Sequence, residues 1–253
     1  MFQGRTIAVV VPAYNEERLV ARAVGQIPGY VDHVIVVDDA STDRTWEAVS
    51  QLERPGLVRV RHDRNGGVGA AIVTGYSRAL TAGAEVVAVM AGDAQMDPAD
   101  LPGLLAPVMS GEADYAKGDR LSWPGVFKVM PFLRFAGNHV FSVLTRITSG
   151  YRFVRDSQCG YTAVSARMLT RLDLKALYAR YGFPNDMLAH LNAAGARLAQ
   201  VPVRPIYGTE VSGISLTTAL FRVPLVLLRS FLHRKRKALA ARRPLLDPVR
   251  PEG

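Results

Sequence analysis

The sequence predicts an α/β fold: a mostly parallel central sheet flanked by helices on both faces. Three observations predict it. Short β-branched apolar runs alternate with helix-patterned stretches through the first half of the chain. Each of the first four runs ends in a polar or glycine-rich turn. The composition is globular, with 49% hydrophobic and 21% charged residues over 253 positions, enough chain to bury a large core.

The runs at 6–11 (TIAVVV) and 33–38 (HVIVVD) read as strands buried on both faces, because they are short, continuous and rich in valine and isoleucine. Residues 57–62 and 85–90 read as two more. Helical patterns fall between and after them, at about 16–27, 43–52, 68–82 and 99–109. The second half is less regular. Strands are expected at 113–118, 161–165 and 197–204, and a helix at 184–194. Residues 126–148 form a long apolar stretch with interspersed Lys128, Arg134, His139 and Arg146.

Charge is unevenly distributed. Of the net +9, residues 204–253 carry +7 (ten basic against three acidic), so the excess belongs to the C-terminal region. That points to an anionic partner there, a membrane surface or a nucleic acid. Nineteen residues at 214–232 (ISLTTALFRVPLVLLRSFL) are long enough to cross a bilayer. Arg222 and Arg229 lie on one helical face within them, Pro224 interrupts them, and the basic run from His233 to Lys237 follows. Charged residues at mid-bilayer are costly, so an interfacial helix is favoured over a spanning one. A core helix with a solvated basic end is the plainer alternative. The lone Cys159 excludes an intrachain disulfide, suits a reducing compartment and reads as a small buried residue. No secretory signal pattern opens the chain, and the five histidines show no metal-ligand spacing.

In an open α/β sheet, ligands bind beyond the carboxyl ends of the strands. The unusual residues of this sequence fall there: Pro12, Tyr14 and Glu16 after the first strand, Asp38 and Asp39 after the second, Arg64, Asn65 and the Gly66-Gly67-Val68-Gly69 turn after the third, and Asp93, Gln95 and Asp97 after the fourth. Ser41, Thr42 or Asp43 would serve as helix caps. Capping does not account for Asp38 and Asp39, since adjacent carboxylates repel unless donors or cations offset them. The glycine turn permits close approach of a phosphate to backbone N–H groups. It does not have the dinucleotide spacing, and a tight turn into a helix is its plainer meaning.

Together these turns resemble the family-2 inverting glycosyltransferases of GT-A fold, in particular the group that transfers hexoses to polyprenyl and dolichyl phosphates. The motifs VVPAYNEE, VVDDASTD, NGGVGAAIVTGY and AGDAQMDP occur in that group's order. DSQCGYTAVS (156–165) and FPNDMLAHL (183–191) are similar to its acceptor-half motifs, and YGTEVSGIS (207–215) resembles the loop preceding its membrane-associated segment. The resemblance spans about residues 5–240. It implies a catalytic unit over 1–212, with a nucleotide-sugar-binding half at 1–120 and an acceptor half at 121–212. A basic membrane-associating segment at 213–253 would follow, placing the protein on the cytoplasmic face of the cell membrane.

By position, the resemblance implies that Pro12, Tyr14 and Glu16 line the base pocket, and that Asp38 and Asp39 hold base and ribose. Arg64, Asn65 and Gly67 would complete the nucleotide-sugar site. Asp93, with Gln95 nearby, would ligate a Mg²⁺ or Mn²⁺ ion on the diphosphate. The first carboxylate of the family's DxD pair is Ala91 here, so one ligand is missing. A hard cation held by one carboxylate plus substrate phosphates is normal for Mg²⁺. Asp156 and Asp186 are expected at hydroxyl contacts, Asp186 holding the sugar. Arg120, Arg204 and Ser212 are expected at the acceptor phosphate, with Arg64 or Arg120 also offsetting charge on the leaving diphosphate. A lipid phosphate is already an anion, so it needs little help from a general base. The expected donor is UDP-glucose or GDP-mannose. Transfer to a soluble or polysaccharide acceptor is the alternative, and would require such a base. A nucleic-acid-binding module is disfavoured, since the basic run has no recognition motif or interleaved aromatics. A sugar-phosphate nucleotidyltransferase is disfavoured by the absent glycine-rich loop after the first strand.

Overall fold

The computed structural model describes residues 2–206 and 223–241. In chain order the first half forms β1 (Ile7–Ala13), α1 (Val20–Gly25), β2 (His33–Asp38), α2 (Thr45–Ser50), β3 (Leu57–Arg61), α3 (Val68–Thr81), β4 (Val86–Val89) and α4 (Leu101–Met109). The second half adds β5 (Tyr115–Asp119), α5 (Val126–Val129), α6 (Phe132–Ser149), β6 (Thr162–Ser165), α7 (Ala166–Arg171), α8 (Phe183–Ala193), β7 (Leu198–Pro202) and α9 (Val223–Ala241).

The strands make one seven-stranded sheet in the order β3-β2-β1-β4-β6-β5-β7. Pairing is parallel except at β6, which runs antiparallel to both β4 and β5. The double-sided burial expected of the valine-rich strands is present. Ile7, Val9 and Val11 of β1 pack with Val20, Leu101 and Leu105 on one face. Ala8 and Val10 pack with Ile72, Tyr76 and Met187 on the other. α3 lies so close to β1 that a Cβ at Gly75 would fall 2.1 Å from Val10 Cγ1.

Two sequence expectations shift for identifiable reasons. The helix expected at 16–27 is regular only from Val20: residues 16–20 form a turn in which the Leu19 and Val20 N–H groups both donate to Glu16 O, while the N–H groups of Asn15, Glu16 and Glu17 donate to Ser41, Thr45 and Asp43 side chains. The apolar stretch at 126–148 divides into α5 and α6 at Pro131. Met130, which precedes the proline, is extended (ψ 122°), as steric contact with a proline ring favours.

No helix among the described residues is long and apolar enough to cross a membrane. α9 packs against α6 and α8, with Val226, Leu227 and Ser230 buried. Residues 207–222, which include Ser212, lie outside the described part of the chain.

Parallel strands deliver their carboxyl ends to one edge of the sheet. β6 is reversed, so its amino end, and the 156–161 loop before it, arrive at that same edge, with Val89 opposite Thr162. Backbone strain collects there too. Asn15, Ala40 and Ala94 hold left-handed φ values of 58°, 58° and 56°. Such conformations are unfavourable for alanine and persist only where the surroundings impose them.

Gly75→Ala is expected to destabilise the protein by about 1–3 kcal/mol, because overlap with Val10 outweighs the gain in helix propensity. A lowered urea midpoint with an unchanged slope is the readout.

Candidate active site

The rim over β1 and β2 is built by mutual stitching of their two following turns. Asn15 N–H donates to Ser41 Oγ at 3.0 Å, and Thr42 N–H donates back to Asn15 Oδ1 at 2.9 Å. Glu16 N–H donates to Thr45 Oγ1 at 2.7 Å, and Thr45 in turn donates to Asp43. Ser41, Thr45 and Asp43 are therefore spent on loop structure, as their capping chemistry suggests. The turn leaves Tyr14 exposed and Glu16 half-buried above the buried Pro12.

Asp38 and Asp39 are both inaccessible to water, and each has a different partner set. Asp38 Oδ1 accepts from the Ser41 N–H (3.2 Å) and the Ser41 hydroxyl. Its Oδ2 sits 3.2 Å from Arg61 Nε as an ion pair, without hydrogen-bond alignment. Parallel register puts Asp38 beside Arg61, which explains the pairing. Asp39 Oδ1 accepts from Gly66 N–H (2.9 Å) and contacts His62 Nδ1 (2.7 Å), while Oδ2 accepts from Gly67 N–H (2.7 Å).

That arrangement revises the expected role of the glycine turn. Gly66 and Gly67 do not offer their N–H groups to a phosphate; Asp39 takes both. The glycines are required for packing as well. A Cβ at Gly67 would meet Ala179 O at 2.6 Å, and one at Gly69 would meet Tyr178 O at 2.4 Å. Asn65 joins the same assembly, donating to Asp39 O at 3.3 Å and accepting from Arg180 at 3.2 Å. Arg64 is exposed on this turn.

After β4, Asp93 Oδ1 accepts from Gln95 N–H at 3.0 Å, across the left-handed Ala94. Gly92 N–H donates to Pro12 O at 3.0 Å, so this turn sits directly against the β1 turn. Arg204, after β7, is drawn in by a bridge between Met96 and Pro205. Its N–H donates to Asp100 at 2.7 Å, and its guanidinium lies 3.9 Å from Asp97. The set from Pro12 to Gln95 and Arg204 is thus gathered at one edge.

Over β5 and β6 the rim is cationic and braced by a buried carboxylate. Arg120 grips Asp156 at two points, Nε to Oδ2 at 2.7 Å and Nη2 to Oδ1 at 3.1 Å. Asp156 also accepts from the N–H groups of Arg120, Gln158 and Cys159. Burial by itself raises the Asp156 pKa, but the charge and hydrogen bonds of Arg120 outweigh it and hold the carboxyl below its usual range.

Sequence reasoning missed Lys117 and the Gln158–Asn185 pair. Lys117 is fully buried and donates to Cys159 O. Burial drives its pKa down, partly countered by Cys159 and Asp156. An inward-facing lysine in the strand sequence YAKGD was the available signal. Gln158 donates to Asn185 Oδ1 at 3.0 Å, joining the 156–161 loop to α8.

Asp186 differs from its expectation. It is fully buried, and its carboxylate accepts from Tyr178 N–H at 2.9 Å and from the Ser230 hydroxyl of α9 at 2.7 Å, with His190 Nε2 at 3.6 Å. Its oxygens face the protein's own elements, and no sugar-holding geometry is evident. His190 stacks on His233 of α9 with ring centroids 3.8 Å apart. Burial lowers both histidine pKa values, with Asp186 and Asp173 opposing the shift and Arg229 reinforcing it. Lys237 acts with Arg229 on His233.

Residues 8–175 match the family model described as Glycosyl transferase family 2. A UDP-N-acetylglucosamine–dolichyl-phosphate N-acetylglucosaminyltransferase of Methanococcus voltae is 30% identical over 82% of this chain and 88% of that protein. A polyprenol monophosphomannose synthase of Mycolicibacterium smegmatis is 29% identical over 90% of this chain and 89% of its own. Among solved structures, glucosyl-3-phosphoglycerate synthase of Mycobacterium tuberculosis, crystallised with Mn²⁺, UDP and glucosyl-3-phosphoglycerate, superposes with a TM-score of 0.70 at 23% identity. That match covers 90% of this chain and 80% of the other, and establishes the shared fold.

Two outcomes follow from the geometry. Asp156→Asn strips Arg120 of its buried counter-charge and is expected to cost on the order of 3 kcal/mol, read in urea unfolding. The histidine pair takes up protons less readily in the folded state than in the unfolded chain, so the unfolded chain binds more protons as the pH falls through the ordinary histidine range. Stability is then intact above pH 6.5, the ordinary histidine value, and falls progressively as the pH drops below it. His233→Phe is expected to flatten that decline in thermal melts run from pH 7.5 to 5.

Proposed function

The chain belongs to glycosyl transferase family 2 and is a sugar-transferring enzyme; from that premise we propose that it moves a hexose from a nucleotide sugar to a polyprenyl or dolichyl phosphate held at a membrane surface. The names of its relatives support the class of acceptor. The observation that carries the reading is a set of exposed apolar side chains on helices that follow Arg120 in the chain. α5 starts six residues after it, and α5, α6 and α9 leave Phe127 (71% exposed), Phe132 (75%), Ile147 (63%) and Leu225 (66%) in solvent. Leu228, Leu232 and Leu239 continue the α9 stripe at helical spacing. An amphiphile with a phosphate head and an apolar tail suits a chain that carries an arginine at the rim and exposed apolar side chains on the helices after it. The segment at 213–253, with its basic excess, would sit against anionic headgroups on the cytoplasmic side.

In this reading Pro12, Tyr14 and Glu16 surround the base and ribose, and Asp38, buried against Ser41 and Arg61 and so not the base- or ribose-holding group the resemblance implies, supports the rim from within. Asp39 acts one step back, by holding the 62–67 turn. Arg64 and Asn65 lie beside the diphosphate, and Arg120, Arg204 and Ser212 face the acceptor phosphate. Asp93 and Gln95 offer hard oxygen donors at a half-buried turn, a fit to Mg²⁺ or Mn²⁺ shared with substrate phosphates. Such an ion, when bound, neutralises charge that develops on the departing diphosphate. Inversion follows from attack by a phosphate oxygen on the face of the anomeric carbon opposite the leaving group. No proton has to leave an acceptor that is already ionised. Asp156, held ionised by Arg120, is a poor base; its task is to aim the guanidinium.

A panel of radiolabelled UDP- and GDP-hexoses, tested with undecaprenyl and dolichyl phosphate with and without EDTA, checks the proposal. Organic-extractable label that EDTA abolishes is the expected result. Label that remains aqueous with every lipid overturns the lipid acceptor. Replacing Leu225, Leu228 and Leu232 together with glutamine is expected to weaken sedimentation with anionic vesicles roughly tenfold or more, leaving nucleotide binding intact. Point substitutions serve better than deletion here, because Val226, Leu227 and Ser230 are buried parts of the core.

A further inference from the structure

The segment at 176–182 lies between α9 and the glycine turn, and it is held on both sides. On the α9 side, Arg229 Nη2 donates to Ala176 O at 2.5 Å, and its guanidinium sits 5.7 Å over the Tyr178 ring. Val226 closes on Gly182, where a Cβ would fall 3.0 Å away. Asp186 links the two elements directly, accepting from Ser230 with one oxygen and from Tyr178 N–H with the other.

On the turn side the same segment makes a second set of contacts. Ala70 N–H donates to Ala179 O at 3.1 Å, at the start of α3. Arg180 donates to both Asn65 Oδ1 and Asn65 O, each at 3.2 Å. Gly67 and Gly69 leave room for the carbonyls of Ala179 and Tyr178 and for nothing larger. The turn's own amides then hold Asp39.

We propose that Asp186 and Ser230 are positioning residues for the nucleotide half of the site, acting through the 176–182 segment on the turn that carries Asn65 and Gly67. This rests on the reading above that the turn borders the donor nucleotide. Between Ser230 and the turn the links run through hydrogen bonds and backbone contacts too tight for a Cβ, so a shift of Tyr178 moves the turn against which Asp39 is set. Among the described residues, Ser230 and Arg229 touch no rim residue directly. Their effect on donor affinity has to pass through the segment, which separates this proposal from a sugar-holding Asp186.

The test measures binding of UDP and of GDP, each with Mn²⁺, by calorimetry, beside the KM for polyprenyl phosphate. Ser230→Ala and Arg180→Ala are each expected to weaken nucleotide binding about five- to tenfold, with the acceptor KM unchanged. The double variant is expected to lose much less than the product of the two, since both cut one linkage. Arg229→Ala, an exposed change on the α9 side, repeats the measurement should Ser230→Ala fold poorly. A general loss of structure would instead lower nucleotide and acceptor affinity together with the melting temperature. Unchanged nucleotide affinity in Ser230→Ala and Arg229→Ala, or strictly multiplicative losses, overturns the linkage. Wild-type protein that binds neither nucleotide overturns the reading of the site itself.

Discussion

Asp38, Asp39, Asp156 and Asp186 have at most 2% of their surface in contact with water, and a buried carboxylate is unfavourable unless donors or cations replace its hydration. That constraint organises the protein. Each of the four draws partners from at least one other part of the chain. Asp38 takes Ser41 and Arg61; Asp39 takes His62, Gly66 and Gly67; Asp156 takes Arg120; Asp186 takes Tyr178 and Ser230. The rim loops are ordered because these demands can be met together in only one arrangement.

The consequence for function is a division of labour. Residues that satisfy buried carboxylates build the frame, and in the proposed reading residues at the surface of that frame face the substrate. Tyr14, Glu16, Arg64 and Asp93 belong to the second class; Ser41, Gly66 and Gly67 belong to the first. Arg120 stands in both. Its grip on Asp156 fixes the direction of the guanidinium, and pre-organised charge of that kind does not have to be reoriented as the reaction proceeds. The left-handed Asn15, Ala40 and Ala94 fit the same scheme, since strain in a rim loop persists only where the frame over-determines it.

The C-terminal helix is more closely integrated than an appended anchor. Arg234, from the basic run, donates to the carbonyls of Ile147 and Thr148, satisfying the end of α6. Arg229 reaches Ala176. Some of the charge that reads as a solvated or membrane-facing cluster thus closes helix ends and loops. Leu225, Leu228, Leu232 and Leu239 of the same helix remain exposed, so the two faces of α9 have opposite tasks.

The sequence by itself determined the α/β class, most strand positions, the edge at which the site forms, and the family. Local periodicity and turn chemistry encode these within a few residues of each other: β2 falls at 33–38 as its apolar run predicts, and the first four turns follow their strands directly. Tertiary structure decided the rest, because it depends on contacts between distant segments. The late start of α1, the reversal of β6 that carries Asp156 to the rim, and the buried Lys117 all arise this way. So do the capture of Gly66 and Gly67 by Asp39 and the turning of Asp186 toward Ser230, 44 residues away. A carboxylate in a sequence shows what it is able to bind. Which partner it receives is decided by which donors the fold brings within about 3 Å, and no local pattern records that distance.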